Sequence, residues 1–258
     1  MKLKDKIIIV TGSGRGIGRG IALRLAKDGA TVIINDINKE NANKVSKEIQ
    51  AMGQKSMAII GDVSKEKDVQ NLVDKVVAEY GKLDVMVANA GIAVIKTTVD
   101  TTVAEWDKVF AVNVRGAFLC DTIAANQMIK QKYGKIINCA SIAAHSGFAF
   151  LAAYSSSKFA IRGLTQALAK ELGTYGITVN AYCPGIVGTD MWDEIDKKMG
   201  PVLGLGKGEV LAMYAKMIVM GRVSVPEDVA CYVSYLASGD SDYMTGQTVM
   251  IDGGVVMN

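Results

Sequence analysis

Short apolar runs alternate with amphipathic stretches of helical length along the whole sequence. The apolar runs are continuous, which is typical of strands covered on both faces; a strand with one face in solvent would alternate apolar and polar residues. Alternation of such strands with helices predicts an α/β fold, a doubly wound parallel sheet of about seven strands with helices on both faces. The predicted strands span residues 6–10, 31–35, 56–61, 85–88, 135–139, 178–183 and 248–251.

The stretches between the strands have the residue spacing of helices. Examples are residues 18–27, 39–52, 65–80 and 153–175. In the third of these, apolar residues recur at the three- and four-residue intervals of a helix with one buried face; they are Val69, Leu72, Val73, Val76 and Val77. The sequence contains no internal repeat, low-complexity tract or linker, and only three prolines. It therefore predicts one domain covering residues 1–258.

Residues 187–222 depart from this pattern, because glycines and Pro201 interrupt their apolar residues and no single helix or strand fits. Two interpretations are open: a flexible apolar flap over a ligand, or a packed helical excursion that fills core space with methionine. The segment follows a strand ending at Cys183-Pro184-Gly185, and ligands of open α/β sheets bind at the carboxyl ends of strands. We therefore favour the flap. Its bulky apolar residues are Met191, Trp192, Met199, Met213, Met217 and Met220.

Charge and hydropathy exclude several classes of partner. The 29 basic and 26 acidic residues are dispersed and leave a net charge of +3, whereas nucleic-acid binding requires clustered Lys and Arg. The apolar run at residues 7–10 is too short for a signal peptide, and no uninterrupted stretch of about 18 apolar residues is present for a membrane span. These features predict a cytoplasmic protein with neither nucleic acid nor membrane as its partner.

The cysteines and the single histidine exclude two further kinds of site. Cys120, Cys139, Cys183 and Cys231 are scattered and, with His145, do not form a tetrahedral zinc set at any usual spacing. No metal is predicted, and we expect all four cysteines to be reduced, buried and structural. A Ser-His-Asp hydrolase is disfavoured as well, because no G-x-S-x-G elbow lies near the only histidine.

The most informative local sequence is TGSGRGIGRG at residues 11–20, which follows the first predicted strand directly and opens a helix. No register of it fits the dinucleotide fingerprint G-x-G-x-x-G, whereas T-G-x-x-x-G-x-G fits. By analogy with the glycines of that fingerprint, we expect Gly12 to turn the chain, Gly16 to let the backbone approach a pyrophosphate, and Gly18 to let the helix pack closely on the strand. Backbone N–H groups and the positive helix end then face the phosphates. The other two glycines of the stretch have no role in the pattern.

This spacing resembles the nucleotide loop of the short-chain dehydrogenases/reductases. Asp62-Val63 resembles the family's adenine-binding position, Asn89-Ala90-Gly91 the motif that steadies the sheet beside the cofactor, and Pro184-Gly185 the start of the nicotinamide cradle. The resemblance covers essentially the whole chain and implies a Rossmann-type fold with oxidoreductase activity on CH–OH groups. The residues it implies for cofactor binding are Gly12, Arg15, Gly16, Ile17, Gly18, Asp36, Asp62, Val63, Asn89, Ala90, Gly91, Tyr154, Lys158, Pro184, Gly185, Ile186, Val187 and Thr189.

The choice between NAD and NADP depends on two residues. Asp36 ends the second strand, where an acidic side chain accepts hydrogen bonds from the adenine-ribose hydroxyls and repels a 2′-phosphate. Arg15 opposes this interpretation, because a basic residue just before Gly16 occurs in relatives that prefer NADP. A carboxylate at the 2′ position repels a doubly charged phosphate by several kcal/mol at close range, so we predict NAD as the cofactor.

Four residues resemble the catalytic set of the family: Asn113, Ser141, Tyr154 and Lys158. Tyr154 and Lys158 lie one helical turn apart on the same face of a helix. The resemblance implies that Tyr154 is the acid/base, that Ser141 hydrogen-bonds the substrate oxygen, and that Asn113 completes a proton relay. A phenol has a pKa near 10, and we expect the Lys158 ammonium and the positive charge of oxidised nicotinamide to favour the phenolate.

Within the family, residues 154–166, 180–187, 191–196 and 238–247 resemble acetoin (diacetyl) reductases, also called 2,3-butanediol dehydrogenases. The predicted substrate site consists of Ser141 and Tyr154 with the bulky apolar residues Ile142, Phe148 and Trp192. Such a pocket is small and suits a four-carbon ketone or diol. Ordinary core packing is the alternative role of Phe148 and Trp192.

Three other functions remain open at this stage. An NAD-linked polyol dehydrogenase shares every catalytic and cofactor motif, and His145, Asp193 and Glu194 are available as its polar pocket groups. A 3-oxoacyl-thioester reductase is disfavoured by Asp36, because such enzymes use NADPH. A non-catalytic dinucleotide-binding regulator is disfavoured because the Tyr154–Lys158 pair is retained.

The family resemblance also predicts the assembly. Its members usually form dimers or tetramers through the long helices that carry Asn113 and Tyr154, so we expect a homotetramer or homodimer.

Overall fold

The computed structural model describes residues 1–257. Over that range, seven parallel strands form one sheet in the order β3-β2-β1-β4-β5-β6-β7. The strands are β1 Ile7–Thr11, β2 Thr31–Asp36, β3 Ser56–Ile60, β4 Val85–Ala88, β5 Gly134–Cys139, β6 Ile177–Pro184 and β7 Thr248–Ile251. The helices are α1 Gly16–Lys27, α2 Lys39–Ala51, α3 Glu66–Tyr80, α4 Val103–Phe110, α5 Gly116–Gln131, α6 Ala152–Leu172, α7 Asp190–Leu203, α8 Glu209–Ala215 and α9 Pro226–Ala237. The predicted doubly wound parallel sheet is confirmed.

The continuous apolar runs of the strands follow from burial on both faces of the sheet. In β1, Ile7 and Ile9 pack into the core cluster that contains residues of α3, α5 and α6. Ile8 and Val10 point the other way, into the cluster that contains residues of α1, α2 and α9. Because successive side chains of a strand alternate between faces, both sets must be apolar, and the run shows no polar alternation.

The order of the strands places the functional edge. Chain order reverses between β1 and β4, which lie side by side at the centre of the sheet. A reversal of this kind opens a crevice at the carboxyl ends of the strands, where ligands of such sheets bind. The loops after β1, β2, β3, β4, β5 and β6 therefore meet at one edge.

The segment at residues 187–222 is more regular than its sequence indicates. It contains α7 and α8, which pack through a small third apolar cluster of Ile95, Ile195, Met199 and Val210. Elements of both interpretations are therefore present: the segment is a helical excursion, and it covers the carboxyl edge of the sheet. Its flexibility remains a prediction.

The expectation that all four cysteines are buried is wrong in part. Cys120 and Cys183 are buried, Cys139 is partly buried and Cys231 is exposed. Cys231 lies on the outer face of α9, with its sulfur 2.7 Å from Nη1 of Arg24. The buried residues Val229, Val233 and Leu236 recur along α9 at helical spacing, and Cys231 lies off that face. All four thiols are free.

Within residues 1–257, no helix combines the length and the apolar character needed to cross a membrane.

A fully buried carboxyl lies in the core between α5 and the sheet. Asp121 Oδ2 accepts a hydrogen bond of 2.9 Å from Asn138, whose amide also donates to Thr165 at 3.2 Å. Burial raises the pKa of Asp121 to about 8, and the hydrogen bond from Asn138 offsets this only in part. Asp121 is therefore protonated in the folded protein at neutral pH.

Asp121→Asn is expected to remove a pH-dependent loss of stability. An aspartate in an unfolded chain has a pKa of about 3.9, so above that pH the unfolded state releases a proton that the folded state retains. Protonated Asp121 therefore makes its full contribution to the free energy of unfolding in acid, and this contribution is lost as the pH rises toward about 8. The amide does not titrate. We expect the unfolding free energy of the variant, relative to the parent, to rise from pH 5 to pH 8 by on the order of a few kcal/mol.

Urea unfolding of both proteins at pH 5, 6, 7 and 8 measures this difference. Asp107→Asn, at an exposed position of α4, is the matched control for replacing a carboxyl with an amide and is measured at the same four pH values. A pH-independent difference for Asp121→Asn would contradict the prediction.

Candidate active site

The glycine-rich loop packs against the turn that follows β4. Gly12 has a φ of +60°, and a Cβ there would lie 2.7 Å from Cα of Ala90. A Cβ on Gly18 would lie 2.5 Å from the Asn89 amide nitrogen and 2.9 Å from Cα of Ser13. These two positions require glycine, because a side chain would separate the loop from α1 and from β4.

The two glycines outside the recognised pattern are also closely packed, which corrects the expectation that they have no role. A Cβ on Gly14 would lie 2.8 Å from Oδ2 of Asp36, and a Cβ on Gly20 would lie 2.5 Å from Cβ of Pro226. Gly14 thus makes room for the acidic residue of β2, and Gly20 lets α1 pack on α9. Both contacts join residues far apart in sequence, so local spacing does not indicate them.

A hydrogen-bond network around Thr11 and Asn89 joins the loop to the centre of the sheet. Oγ1 of Thr11 accepts from the backbone N–H groups of Asn89 and Ala90 at 3.0 and 3.1 Å. The Asn89 amide donates to the carbonyls of Thr11 and Gly12 at 2.8 and 3.1 Å, and its oxygen accepts from the Tyr182 hydroxyl at 2.8 Å. The two amide donors of Asn89 thus hold the loop, and its oxygen ties the residue to β6. Asn89 therefore shapes the crevice, and its contact with a cofactor remains a prediction.

Two backbone donors hold the carboxylate of Asp36 at the end of β2. Gly14 N donates to its Oδ2 and Asn38 N to its Oδ1, both at 2.9 Å. Arg15 points toward α7 instead, with its guanidinium 3.4 Å from Asp190, and both of these side chains are more than two-thirds exposed. Exposed pairs of this kind contribute little to stability. The acidic group is thus fixed beside the loop, while the basic group faces solvent at the first turn of α7.

Asp62 and Val63 follow β3 at the same edge. The Asp62 carboxylate accepts hydrogen bonds from the N–H and the hydroxyl of Ser64 at 3.0 and 2.8 Å. Burial acts to raise the pKa of Asp62, but these bonds and the charges of Lys65 and Arg115 outweigh it and hold the pKa below its usual value. Val63 is buried. Asp62 is therefore ionised at neutral pH.

The stretch after β6 crosses the end of the sheet. Gly185 N donates to the carbonyl of Ile251 on β7 at 3.1 Å, and the carbonyl of Ile186 accepts from Ser224 at 3.0 Å. Val187 pairs with Ser224 in a short parallel bridge. Thr189 then precedes the first residue of α7. Residues 184–189 are thus held on both sides, by β7 and by the segment before α9.

The four residues predicted as catalytic come together beside the ends of β4 and β5. Lys158 donates to the carbonyl of Cys139 at 2.6 Å, and its Nζ lies 5.4 Å from the centre of the Tyr154 ring. Ser141 starts the turn after β5, where its hydroxyl accepts from Ala143 N at 3.1 Å. Lys158 is buried, so it acts within the site and not at the surface.

Asn113 lies in a π-helical turn, Ala111–Arg115, between α4 and α5. Its side chain accepts from Ile92 N and donates to the carbonyl of Ile92, both at 2.9 Å, and it donates to the hydroxyl of Ser157 at 3.0 Å. A π-helical turn inserts one residue into a helix and is often found at functional sites. Here it joins the loop after β4 to α6, the helix that carries Tyr154.

The environment of Tyr154 combines the expected effect of the Lys158 charge with a larger, opposite effect of burial. Burial raises the pKa of Tyr154, and the opposing effects of the Lys158 charge and of the Ser141 hydrogen bond do not overcome it. Burial also acts to lower the pKa of Lys158, but Cys139 and Tyr154 beside it raise the pKa, which lies above its usual value. Lys158 is therefore charged at neutral pH, yet by itself it does not bring Tyr154 to the phenolate.

A cavity of about 90 Å³ lies between this cluster and α7 and α8. All five residues predicted for substrate binding line it: Ser141, Ile142, Phe148, Tyr154 and Trp192. The other lining residues are Ala93, Ala143, Leu151, Gly185, Ile186, Met191, Ile195, Met199, Tyr214 and Val255. The spacing of Met191, Ile195 and Met199, four residues apart, is a helical signal within residues 187–222 that indicates one apolar face toward the cavity.

The polar groups proposed for a polyol site are not in this wall. Asp193 and Glu194 are exposed on α7, and His145 does not line the cavity. Burial and the nearby Arg162 lower the pKa of His145, and hydrogen bonding to the backbone of Thr248 only partly offsets them. The side-chain hydroxyls that line the cavity belong to Ser141, Tyr154 and Tyr214.

Comparison with known proteins agrees with this architecture. Residues 6–200 match the family described as short chain dehydrogenase. The sequence is 46% identical to a diacetyl reductase [(S)-acetoin forming] of Staphylococcus epidermidis, over 98% of this chain and 99% of that protein. It is 44% identical to an L-2,3-butanediol dehydrogenase of Corynebacterium glutamicum, over 98% of this chain and all of that one.

The fold is similar to that of a crystal structure of a short-chain type dehydrogenase/reductase from Mycobacterium marinum. The TM-score is 0.89 at 32% identity, and the match covers 100% of this chain and 98% of that one. The chain thus combines three features: the parallel sheet, the glycine-rich loop after β1, and the Tyr154–Lys158 pair on α6. Its relatives are reductases and dehydrogenases. The chain belongs to the short-chain dehydrogenase/reductase family, dinucleotide-dependent oxidoreductases that act on CH–OH groups.

Proposed function

We propose that this enzyme uses NAD(H) to interconvert a small ketone and its secondary alcohol, with diacetyl, acetoin and 2,3-butanediol as substrates. The observation that carries the proposal is the small cavity beside Ser141 and Tyr154, whose remaining wall is almost entirely apolar. The names of the relatives from Staphylococcus epidermidis and Corynebacterium glutamicum support the same substrates. A four-carbon compound with oxygens on its two central carbons matches a site with few polar groups.

The residues at the carboxyl edge fit a dinucleotide. The loop after β1 leads into α1, whose first turn contains no acidic residue, so its N–H groups and positive end are available to phosphates. Gly12 and Gly18 let the loop pack directly against the turn after β4 and against α1, and the lack of a side chain at Gly16 would let a phosphate approach the backbone. Asp36 at the end of β2 would accept hydrogen bonds from the adenine ribose, and Asp62 with Val63 after β3 would contact the adenine. When bound, the nicotinamide supplies the hydride acceptor or donor.

The chain's own residues supply the proton chemistry. Tyr154 gives a proton to the substrate oxygen during reduction and takes it back during oxidation. Ser141 donates a hydrogen bond to the same oxygen as charge develops there. The charge of Lys158 opposes the effect of burial on Tyr154, and Asn113 holds the loop after β4 beside α6. The remaining shift toward the phenolate requires a further positive charge, which an oxidised nicotinamide carries.

The apolar wall argues against a sugar alcohol as substrate. A polyol binds through several hydroxyls, and each hydroxyl buried without a partner costs about 1–3 kcal/mol. The polar side chains His145, Asp193 and Glu194 lie outside the cavity lining, so they offer no such partners. Diacetyl and acetoin carry only two oxygens.

A spectrophotometric panel tests the function. Acetoin, diacetyl, the butanediol stereoisomers, sorbitol and an acetoacetyl thioester are each assayed with both NAD(H) and NADP(H). We expect the highest kcat/KM with diacetyl or acetoin. A higher value with sorbitol or with the thioester would refute the proposed substrates, and NADH binding without turnover of any ketone would point to a regulator.

The preference for NAD over NADP is expected to be at least about tenfold in kcat/KM, since an opposed carboxylate and phosphate repel each other by several kcal/mol. Asp36→Asn removes the negative charge of the side chain and keeps its shape. The variant should have a higher kcat/KM with NADPH, so the ratio of kcat/KM with NADH to kcat/KM with NADPH should fall. The two cofactors are compared at saturating diacetyl. Asp74→Asn, on the surface of α3, is the control. Equal efficiency of the parent with NADH and NADPH would overturn the assignment of NAD.

We also infer assembly into a homodimer or homotetramer through α5 and α6. Phe118 on α5 and Phe159 on α6 are nearly half exposed, at 48% and 45%, although large aromatic side chains stabilise a fold mainly when buried. Sedimentation equilibrium of the protein measures the mass. A monomer at micromolar concentration would contradict this inference.

A further inference from the structure

We propose that the hydroxyl of Tyr214 binds the second oxygen of a vicinal diketone or hydroxyketone and thereby selects such substrates over simple ketones. The inference rests on the proposed function and extends it. It concerns a residue on α8, which neither the nucleotide motifs nor the Tyr154–Lys158 pair involves.

The position of Tyr214 is fixed by a buried carboxylate. Asp196 on α7 is only 9% exposed, and it accepts hydrogen bonds from Gly208 N at 2.5 Å and from Val210 N at 3.1 Å. These bonds anchor the start of α8 to α7. Val210 then packs into the third apolar cluster, and Tyr214, one turn further along, faces the cavity.

The ring of Tyr214 forms part of the apolar wall. Its centre lies 5.4 Å from that of Trp192, with a tilt of 56° between the planes. The hydroxyl contacts Sδ of Met199 at 3.8 Å. A thioether sulfur is a weak acceptor, so this contact leaves the O–H group of the half-buried Tyr214 with a weak partner. A ligand oxygen would satisfy it.

Tyr214 remains a hydrogen-bond donor at neutral pH. Burial raises the pKa of its phenol above the usual value, and no charged side chain lines the cavity around it. The phenol is therefore neutral and protonated when a substrate arrives. It offers an O–H to a carbonyl or hydroxyl oxygen, and it does not attract a cation.

The chemistry of the substrate matches this arrangement. In diacetyl or acetoin the reacting carbonyl engages Ser141 and Tyr154, and the second oxygen lies on the neighbouring carbon. Of the side-chain hydroxyls that line the cavity, Tyr214 alone is not engaged with the reacting oxygen. Apart from the indole N–H of Trp192, the other lining side chains carry no donor, so Tyr214 provides the one side-chain hydroxyl left for the second oxygen.

Tyr214→Phe tests the proposal with a pair of ketones. Diacetyl and 2-butanone share a four-carbon skeleton and differ by one oxygen. A lost neutral hydrogen bond costs about 1.4 kcal/mol or less, which is about tenfold in an equilibrium constant. We expect kcat/KM for diacetyl with NADH to fall about tenfold, mainly through KM, and kcat/KM for 2-butanone to stay within about twofold.

The ratio of the two ketones within one protein sample is independent of the fraction that is correctly folded, so partial misfolding of the variant does not mimic the result. Tyr232→Phe is a matched control, because the hydroxyl of Tyr232 on α9 also contacts a methionine sulfur, that of Met244, at 3.8 Å but lies outside the cavity. It should leave both values unchanged.

The outcomes separate this inference from the proposed function. An equal loss with both ketones in Tyr214→Phe, or no loss with either, overturns the role of Tyr214 and leaves the proposed function intact. Failure of the parent enzyme to reduce diacetyl with either NADH or NADPH overturns the proposed function and this inference with it. A loss confined to diacetyl supports both.

Discussion

Tyr154→Phe is expected to lower kcat for diacetyl reduction by about a thousandfold or more, the range that a positioned acid or base contributes. The substitution removes the O–H that protonates the substrate oxygen and keeps the ring, so the packing around Lys158 is retained. Lys158 holds its place through the carbonyl of Cys139 and does not depend on the phenol. NADH binding should therefore change by no more than about twofold, since the change removes an interaction made in the transition state.

Steady-state kinetics with diacetyl and a fluorescence titration with NADH measure the two quantities separately. Tyr232→Phe serves again as the control, because it removes a phenolic hydroxyl from α9 without touching the site. Retention of a tenth or more of the parental kcat by Tyr154→Phe would refute the assignment of Tyr154 as the acid/base.

Gly18→Ala is expected to lower the free energy of unfolding by about 3 kcal/mol, the cost of forcing extra atoms into a closely packed site. The new Cβ would lie 2.5 Å from the Asn89 amide and 2.9 Å from Cα of Ser13. Asn89 holds the loop through Thr11 and Gly12, so displacing it moves the loop. NADH binding should weaken at least tenfold, which corresponds to about 1.4 kcal/mol.

Gly173→Ala provides the matched control for this prediction. Gly173 follows the last residue of α6 with a φ of −55°, which alanine adopts without strain, and a Cβ there would have no atom within 4 Å. Alanine in place of glycine at a compatible position stabilises a protein by about 0.4–1 kcal/mol, so this variant should be as stable as the parent or more stable. Urea unfolding and NADH titration of both variants make the comparison. Parental stability and NADH affinity in Gly18→Ala would show that the loop tolerates a side chain.

The sheet was predictable because its signals are local. Each strand is a continuous apolar run. Residues predicted for cofactor binding or catalysis lie at or just after the ends of several runs: the glycines after β1, Asp36 at the end of β2, and Ser141 after β5. Since the carboxyl ends of parallel strands meet at one edge, knowing that the strands are parallel was enough to bring these residues together.

The outer wall of the cavity was less predictable. The sequence of residues 187–222 indicates bulky apolar residues that lie over the carboxyl edge of the sheet. It does not indicate the helix α8 or the position of Tyr214 in the cavity wall. The bonds from Asp196 to Gly208 and Val210 decide where α8 lies. These hydrogen bonds join Asp196 on α7 to residues 12 and 14 positions later in the chain. No periodic pattern in the sequence indicates a contact at that separation.

The behaviour of individual side chains also depended on packing. Lys158 lowers the pKa of Tyr154 as its position one turn away predicts, but burial of the phenol, which the sequence does not indicate, has the larger effect and raises it. Arg15 remains predicted to contact the cofactor, and in this structure its guanidinium lies 3.4 Å from Asp190 on α7. In each case the result depends on how much water and which charges surround the group, and both are set by residues distant in sequence.

The amino-acid sequence by itself determined the parallel sheet, the edge where its loops converge, and the types of chemical groups at that edge, because apolar periodicity and strand-end position act over a few neighbouring residues. Only the tertiary structure decided that Gly14 and Gly20 are closely packed, that Asp121 is buried as an acid, and that Tyr214 completes the cavity. These features arise where segments more than ten residues apart come into contact, and close packing then determines which atoms have room, water or a partner.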